Sequence, residues 1–550
     1  MRFLFALLIL AAHPATAQTT LPRTMIAASH PLAADAGLSV LHEGGTAADA
    51  AVAAQLVLAV VAPNSSGLGG GGFALTFTNG SKAVESWDGR EAAPAAAGAD
   101  LFLRRDGTAM SREEAGLGGR AVGVPGLLRL LEALHRAHGR LPWERLVQPA
   151  LRFAEAGFSL SPPVAAAIAE DPALPRLPAT REALLAPDGT PWPAGRVITA
   201  PRLAELLRAV AKDGADAFYR GPIAASIATA VRSDANAGLL TADDFAAYRV
   251  NARPALCRPY RDERVCSMGP PASGGVSVLQ TLGLLEHFHL AAYAPDGVDV
   301  AQLLVEAEKL AEADRALYLA DDAFQPVPVH GLLAQSYLTA RAQGIDLGHA
   351  NPAPRAGNPS WRGPRMAPSP AQPEHGTSQV TVIDSAGNAV SMTASLQDRF
   401  GAHLMVDGVL LNDALTDFAF VPRLQGRLVA NRVAGGKRPR SAMAPTLVFG
   451  AEGGLRLAMG AQGGARIPGI VVESLVRMID FQLMTASPHV LSLGETAALD
   501  GDDALAGALR ARGQVVAQGR IEGSPLMIAV LPGGLVGSAE PGRDGVILGE

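Results

Sequence analysis

The clearest alternation of apolar and polar positions lies between residues 377 and 395. Residues 377–383 alternate β-branched with polar side chains, 384–388 have turn composition, and 389–395 have the composition of a returning strand. The register of such a hairpin carries Ser395 to within about one residue of Thr377. The pattern therefore predicts two hydroxyls side by side at the start of a strand.

Helical periodicity and turn signals predict the other elements. Residues 31–42 and 46–61 are predicted helices, the second apolar enough for the core, and the glycine-rich run 67–73 opens a strand. A dinucleotide-binding fingerprint follows a strand and opens a helix, so this run indicates close backbone approach instead. Residues from about 120 to 250 are mostly helical, and 300–319 form a long amphipathic helix whose charges are interpreted as a solvated face. The mixture predicts an α+β fold.

The first residues have the three parts of a secretory signal peptide. Met1-Arg2 precedes an apolar run at 3–12 and the small residues 15–17, which predicts a signal peptide at 1–17 and export to the periplasm or the extracellular space. A buried N-terminal helix is the alternative. The later apolar run, 50–62, is shorter than the about 20 residues that a membrane-spanning helix needs, so no transmembrane segment is expected.

Composition places the 550-residue chain among globular proteins, with 48% hydrophobic and 18% charged residues. The net charge of −6 is spread without long runs, which argues against a nucleic-acid partner. The two cysteines, Cys257 and Cys266, are compatible with a disulfide or with two free thiols, and two cysteines alone cannot form a tetrahedral zinc site. No metal and no other cofactor is expected.

Thr377 is a candidate nucleophile. If the peptide bond between Gly376 and Thr377 is cut, Thr377 gains an α-amine with a pKa of roughly 7.7–8.0, which can take the proton of the threonine's own hydroxyl. Ser395 would then orient that hydroxyl. Residues 351–373, just upstream, carry seven prolines, which predicts an extended and mobile segment whose end can leave the site. An ordinary hairpin with hydroxyls on its polar face is the alternative.

Two further stretches are each open to two interpretations. Arg90 follows a strand and precedes Glu91, and it is either a surface charge or a bidentate clamp for a substrate carboxylate. Gly463 and Gly464 lie at a turn before a predicted helix. Their N–H groups either form an oxyanion hole or belong to a simple tight turn.

Together these stretches resemble the γ-glutamyltransferase family of N-terminal nucleophile hydrolases over nearly the whole mature chain. The matching stretches are 43–51, 67–73, 88–94, 270–275, 376–377, 437–439 and 463–464. The resemblance implies a proenzyme that cuts itself before Thr377 into a large chain, 18–376, and a small chain, 377–550. The two chains are then expected to fold together as stacked α-β-β-α layers.

The resemblance also implies roles for single residues. Thr377 would attack a γ-glutamyl amide such as glutathione and pass the acyl group to water or an amino acid. The other implied roles are orientation of the nucleophile by Ser395, carboxylate binding by Arg90 and Ser441, binding of the α-ammonium by Asp417, and oxyanion stabilisation by Gly463 and Gly464.

Several positions depart from the family's pattern, among them Ser378 and Gln379 after the nucleophile, Ser395 in place of a threonine, and a short segment at 418–436; three others affect the substrate pocket. Gln397 stands where an asparagine usually contacts the substrate amine, Ala414 replaces a Gln or Glu that shares this role, and Ala442 replaces the second of two adjacent serines. Each lost hydrogen-bond partner costs about 0.5–1.5 kcal/mol. The pocket for the glutamyl amine therefore loses contacts while the nucleophile is retained.

The sequence thus predicts an exported, self-processing γ-glutamyltransferase or hydrolase with a small γ-glutamyl substrate and an amino-acid or water acceptor. The nearest alternative is a related acylase with another acyl specificity, such as a cephalosporin or glutaryl acylase. An alternative from another class is a non-catalytic exported binding protein, which self-cleavage before Thr377 would exclude.

Overall fold

The computed structural model describes residues 21–369, 376–484, 490–540 and 545–550. The predicted signal peptide, 1–17, and the last part of the proline-rich segment, 370–373, lie outside these described residues.

The described residues form strands and helices in alternating groups along the chain. The strands are β1 Met25–Ala28, β2 Gly71–Thr78, β3 Ala83–Gly89, β4 Phe158–Ser159, β5 Val197–Ile198, β6 Asn251–Pro254, β7 Leu256–Tyr260, β8 Glu263–Ser267, β9 Thr377–Ile383, β10 Ala389–Ser395, β11 Met405–Val406, β12 Val409–Leu410, β13 Arg423–Leu424, β14 Arg427–Leu428, β15 Thr446–Phe449, β16 Leu455–Gln462, β17 Val490–Leu493, β18 Thr496–Leu499, β19 Val515–Gln518, β20 Ser524–Leu531, β21 Gly534–Ala539 and β22 Val546–Gly549. The α-helices are α1 Pro31–His42, α2 Ala47–Val61, α3 Arg112–Gly116, α4 Leu127–His138, α5 Trp143–Ala156, α6 Pro162–Glu170, α7 Pro178–Leu184, α8 Pro201–Asp213, α9 Asp216–Tyr219, α10 Pro222–Ser233, α11 Ala242–Ala247, α12 Ser273–Leu285, α13 Val298–Tyr318, α14 Val329–Leu332, α15 Gln335–Ala342, α16 Ile467–Phe481 and α17 Asp503–Ala511.

Two antiparallel sheets pack face to face between layers of helices. The first has seven described strands in the order β22-β1-β9-β10-β2-β3-β6, and the second has six in the order β21-β20-β16-β15-β8-β7. β16 packs on β9 and β10, so the β9–β10 hairpin lies at the centre of the molecule. Strands from before and after Thr377 share both sheets. The α+β prediction is confirmed, as α-β-β-α layers.

The helix on the outer face of the first sheet follows directly from its sequence. All of α2 is buried, as its apolar composition predicts. Thr46 and Asp49 form a capping box at its start, with the Thr46 N–H donating to Asp49 Oδ2 at 3.0 Å. None of the described helices is long and apolar enough to cross a membrane.

The helix predicted at 300–319 is present as α13, but its charges are not solvated. Glu306, Glu308, Lys309, Asp314 and Arg315 are all buried. The solvated-face interpretation is wrong because α12 covers one side of α13, while the unit formed by β17–β19 and α17 covers another. Neither neighbour can be inferred from the periodicity of α13 itself.

One consequence of this burial is a pH-dependent stability centred on Glu308. Its Oε2 accepts the Ser492 N–H at 2.5 Å. Burial raises the pKa of Glu308 to about 8; the Ser492 N–H opposes the rise and the nearby Glu473 adds to it. The unfolded pKa is about 4.3, so the folded state holds the extra proton between these values and stability falls as the pH rises through them.

We therefore expect Glu308→Gln to melt close to the unsubstituted protein at pH 5 and a few degrees higher at pH 8.5. Thermal melts of both proteins at the two pH values measure the difference. Both proteins carry Thr377→Ala, which is expected to prevent self-cleavage. Glu495→Gln, an exposed position on the neighbouring β17–β18 turn, is the matched control. A melting difference that is the same at both pH values would contradict the assignment.

The described part of the proline-rich segment, 351–369, contacts α13 at both Gly357 and Ser369. The Gly357 N–H donates to Asp314 Oδ1 at 2.7 Å, and the Tyr318 hydroxyl donates to the Gly357 carbonyl at 2.7 Å. Further on, the Ser369 N–H donates to the Ala316 carbonyl at 2.9 Å. The described residues 351–369 contain no helix and no strand. The mobility of the segment and its release after cleavage stay predictions.

The two cysteines form a disulfide. Cys257 and Cys266 are direct cross-strand partners in the short β7–β8 hairpin, and their sulfurs are bonded. Of the two alternatives that the sequence left open, the structure therefore contains the disulfide, at the edge of the second sheet.

Candidate active site

Thr377 and Ser395 are direct cross-strand partners in the β9–β10 hairpin, as predicted. The Ser395 hydroxyl donates a hydrogen bond to the Gly376 carbonyl at 2.5 Å and accepts the Gln397 N–H at 2.8 Å. Thr377 itself is 6% exposed. The hydroxyl of Ser395 is thus aimed at the carbonyl of the peptide bond that is predicted to break.

The polar face of this hairpin is buried against the second sheet. Ser391 Oγ donates to the Met459 carbonyl at 2.7 Å, and Thr393 Oγ1 donates to Gln379 Oε1 at 2.6 Å. Thr377 lies on the same face, because side chains two apart on a strand share a face. The hydroxyl-bearing face of the hairpin is therefore buried between the two sheets, and Thr377 lies at its end.

Gly376 has a backbone conformation that favours glycine. Its φ is +101°, and a Cβ there would lie 2.9 Å from the Asn64 carbonyl oxygen. A larger residue before the predicted nucleophile would therefore be strained, and the Gly376 carbonyl is held by the hydrogen bond from Ser395.

We expect Ser395→Ala to slow self-cleavage by about 10- to 100-fold, because the variant loses the donor to a carbonyl oxygen that gains negative charge in the transition state. Ser395→Thr keeps the hydroxyl and is the matched control, expected to cleave at nearly the unsubstituted rate. Intact-mass analysis over time measures the two product chains. Equal rates for the alanine and threonine variants would show that the hydrogen bond plays no part.

Gly463 and Gly464 lie where β16 ends and the 3₁₀ turn Gly464–Arg466 leads into α16. Their φ values are +138° and +57°, so both occupy backbone conformations that favour glycine. In the described part of the chain, neither N–H donates to a backbone carbonyl. Free N–H donors at the positive end of a helix suit stabilisation of an oxyanion.

Arg90 is fully buried, which excludes the surface-charge alternative. Its guanidinium forms a short ion pair with Asp417, donates to Gln397 Oε1 at 3.1 Å, and lies 3.2 Å from Glu91 Oε2. Gln397 Nε2 in turn donates to Asp417 Oδ1 at 2.6 Å. Three predicted substrate-binding residues therefore meet in one cluster, which is joined to Ser395 through the backbone of Gln397.

The charged groups of this cluster are one guanidinium and two carboxyls, all buried. Burial raises the pKa of Glu91, and the Arg90 guanidinium opposes the rise. Burial also raises the pKa of Asp417, while Arg90 and Arg112 oppose it. A ligand with one negative and one positive group can separate Arg90 from Asp417. Its negative group then pairs with the arginine and its positive group with the aspartate, so neither buried charge loses its partner.

Ser441 lies near the cluster, but its side chain makes no hydrogen bond to Arg90. Arg90 Nε donates to the Pro439 carbonyl at 3.5 Å, two residues before Ser441. The Ser441 hydroxyl accepts the Met443 N–H at 3.2 Å, and the Ser441 carbonyl accepts the Ser273 hydroxyl at 2.7 Å. Its role in carboxylate binding therefore stays a prediction.

A cleft of about 550 Å³ opens beside Thr377 and Gly463. Its charged lining residues are Glu170, Arg399, Arg466, Arg520 and Glu522. None of the clustered residues Arg90, Gln397 and Asp417 lines it. Thr377 thus stands between an internal charged cluster and an open cleft.

This geometry agrees with comparisons to known proteins. Residues 33–550 match the family described as Gamma-glutamyltranspeptidase. The chain belongs to the γ-glutamyltranspeptidase family. It is 36% identical over 466 residues to the glutathione hydrolase proenzyme of Bacillus subtilis (strain 168), covering 83% of this chain and 78% of that one. It is also 33% identical over 542 residues to the Acylase ACY 1 proenzyme of Pseudomonas sp. (strain SE83), covering 94% and 92%.

A solved structure extends the comparison to the fold. The cephalosporin acylase from Bacillus halodurans superposes with a TM-score of 0.84 at 26% identity, covering 99% of both chains. The fold is therefore that of the N-terminal nucleophile hydrolases, as predicted. Family membership establishes an enzyme of the γ-glutamyltranspeptidase and acylase group, because relatives with both names match the chain at similar identity.

Sequence reasoning missed several residues that shape the site in this γ-glutamyltranspeptidase family member. Asn431 Nδ2 donates to the Asp417 carbonyl at 2.6 Å. Lys437 Nζ donates to the carbonyls of Ala430 and Arg432 at 2.7 and 3.0 Å, and burial lowers the pKa of Lys437 to about 7. The basic run before a buried strand was a signal for Lys437, whereas nothing in the sequence distinguishes Asn431 from a surface residue.

Proposed function

We propose that the chain is a self-processing γ-glutamyltransferase or hydrolase that acts on γ-glutamyl amides such as glutathione. The observation that carries this proposal is the buried Arg90–Asp417 ion pair, bridged by Gln397 and joined through it to Ser395. The α-carboxylate of a glutamyl group can take the place of Asp417 on Arg90, while its α-ammonium pairs with Asp417. A zwitterion therefore satisfies both charges of the opened pair.

The mechanism begins when the Thr377 hydroxyl attacks the Gly376 carbonyl, so that the C–N bond breaks, the Thr377 nitrogen takes up the hydroxyl proton as a free amine, and Gly376 is held as an ester of Thr377. Water then hydrolyses this ester, which releases the Gly376 carboxylate and restores the threonine hydroxyl. The new α-amine of Thr377 removes the proton from the threonine hydroxyl, which attacks the γ-carbonyl of the substrate. The N–H groups of Gly463 and Gly464 stabilise the oxyanion, and Ser395 orients the nucleophile. The C–N bond breaks, the amine leaves with the transferred proton, and a γ-glutamyl ester of Thr377 remains. Water or an amino acid then attacks this ester and regenerates the threonine hydroxyl.

The proposed division of the chain follows from this step. Residues 18–376 form the large chain and 377–550 the small chain, and each contributes strands to both sheets. The signal-like start of the sequence supports export to the periplasm or the extracellular space. The shared sheets support two chains that stay together after the cut, since their separation would expose the core between them.

A second candidate is an acylase for a glutaryl-type acyl group. Ala414 opens the turn that carries Asp417 and Ala442 follows Ser441, so two polar contacts to a glutamyl head group are absent. A glutaryl group has no α-ammonium, so Asp417 displaced from Arg90 would keep the Gln397 amide but gain no cation from the ligand, which costs more than the two missing hydrogen bonds. This balance favours the γ-glutamyl substrate.

The deciding experiment compares γ-glutamyl and glutaryl p-nitroanilides as donors for the mature two-chain protein. We expect kcat/KM for the γ-glutamyl donor to exceed that for the glutaryl donor by about tenfold or more, as one charge pair provides. Thr377→Ala is the control for background hydrolysis. A preference for the glutaryl donor would establish the acylase instead.

A further inference from the structure

Among its described lining residues, the cleft beside Thr377 has three arginines and two glutamates, an excess of one positive charge. Arg399 is paired twice, with Glu170 at 3.1 Å and Glu522 at 3.0 Å. Arg466 and Arg520 line the same cleft, and neither forms an ion pair with any residue in the described ranges. The two acids of the cleft are thus both used by one arginine, and two guanidinium groups remain.

The backbone of both arginines lies close to the oxyanion glycines. Arg466 ends the 3₁₀ turn that begins at Gly464, and its N–H donates to the Gly463 carbonyl at 3.2 Å. Arg520 precedes a segment that packs on Gly463, because a Cβ on that glycine would lie 3.0 Å from the Glu522 carbonyl oxygen. Their positions are therefore coupled to the place where the reacting carbonyl oxygen would lie.

The cleft lies on the leaving-group side of Thr377. The acyl group extends toward the internal cluster of Arg90, Gln397 and Asp417, and none of these residues lines the cleft. The amine that departs, and the acceptor that replaces it, must then occupy the open side of Thr377. That side is the cleft, where Arg466 and Arg520 form no ion pair with a described residue.

We propose that Arg466 and Arg520 bind a carboxylate on the leaving amine and on the acceptor, an inference that rests on the proposed acyl transfer at Thr377. The substrates are therefore amides of anionic amines, such as amino acids, peptides with a free C-terminus or aminocarboxylates. Arginine suits this task because its planar fork matches a carboxylate. The chain as a whole is acidic, with a net charge of −6, so the attraction is local to the cleft.

The test compares two matched donors, the γ-glutamyl amides of 4-aminobenzoate and of 4-aminobenzamide, which differ in one negative charge. We expect the ratio of their kcat/KM values to fall about tenfold in Arg466→Gln/Arg520→Gln, while kcat/KM for the neutral donor changes little. Arg466→Lys should retain part of the preference for the charged donor. In the unsubstituted protein, 1 M salt should weaken that preference. Differences in leaving-group reactivity cancel because the same two amides are used throughout.

Arg105→Gln removes an exposed arginine outside the cleft and controls for net charge. An unchanged ratio in the double variant would overturn the proposal. If no γ-glutamyl or glutaryl amide is turned over, the proposed function fails on its own. Binding of the free amines then tests whether the cleft binds a carboxylate. Saturation-transfer NMR of the mature protein should then detect 4-aminobenzoate over 4-aminobenzamide, with the difference lost in the double variant; equal binding in the unsubstituted protein would overturn the proposal.

Discussion

Thr377→Ala is expected to remain a single uncut chain and to lose amidase activity by more than about 10⁴-fold. The variant lacks the hydroxyl for both steps, the attack on the Gly376 carbonyl and the attack on the substrate. The fold should tolerate the change, since alanine fits the end of a strand and the cross-strand partner Ser395 keeps its hydrogen bond to Gly376.

Thr377→Ser is the matched control, because it keeps a hydroxyl and, after cleavage, an α-amine on the same residue. It should still cut itself and retain activity within about 10- to 100-fold of the unsubstituted protein. Intact-mass analysis and a γ-glutamyl anilide assay measure the two properties. If the unsubstituted protein itself stays uncut, the enzyme proposal fails and the non-catalytic binding protein becomes the better interpretation.

The central hairpin could be predicted from sequence because its information is local. Period-two alternation, turn residues and the count between them placed Ser395 within about one residue of Thr377, and the structure makes the two direct partners. The same alternation could not reveal that the polar face is covered by β16, since the covering strand comes about 60 residues later. Local pattern therefore predicted the geometry of the nucleophile but not the closed environment around it.

The contact between Arg90 and Asp417 could not be predicted from local sequence patterns. Arg90 and Asp417 are 327 residues apart, and nothing in either stretch requires their contact. Their common role in substrate binding is a prediction from the resemblance to a family, and the structure places the two side chains in contact. No resemblance indicated that the charges of α13 are buried. The spacing of charged residues on a helix is the same whether water or another part of the protein covers them.

The second large effect is expected at the Arg90–Asp417 pair. Arg90→Gln leaves Asp417 and Glu91 buried without their cation, and Asp417→Asn leaves Arg90 with less compensation. Each single variant should lower the free energy of unfolding by about 3–5 kcal/mol, the usual cost of breaking a buried ion pair. Each should also reduce kcat/KM for a γ-glutamyl anilide by about 100- to 1,000-fold, through loss of charge-assisted bonds to the substrate.

The double variant Arg90→Gln/Asp417→Asn separates the structural effect from the functional one. It removes both charges together, so stability should recover by a large part of the single-variant loss. Activity should stay low, because neither the α-carboxylate nor the α-ammonium of the substrate has a charged partner. Denaturant unfolding in the Thr377→Ala background measures stability, and kcat/KM in the cleavable background measures binding of the transition state. Recovery of activity in step with stability would mean that the ion pair only holds the fold, and the substrate head group would have to bind elsewhere.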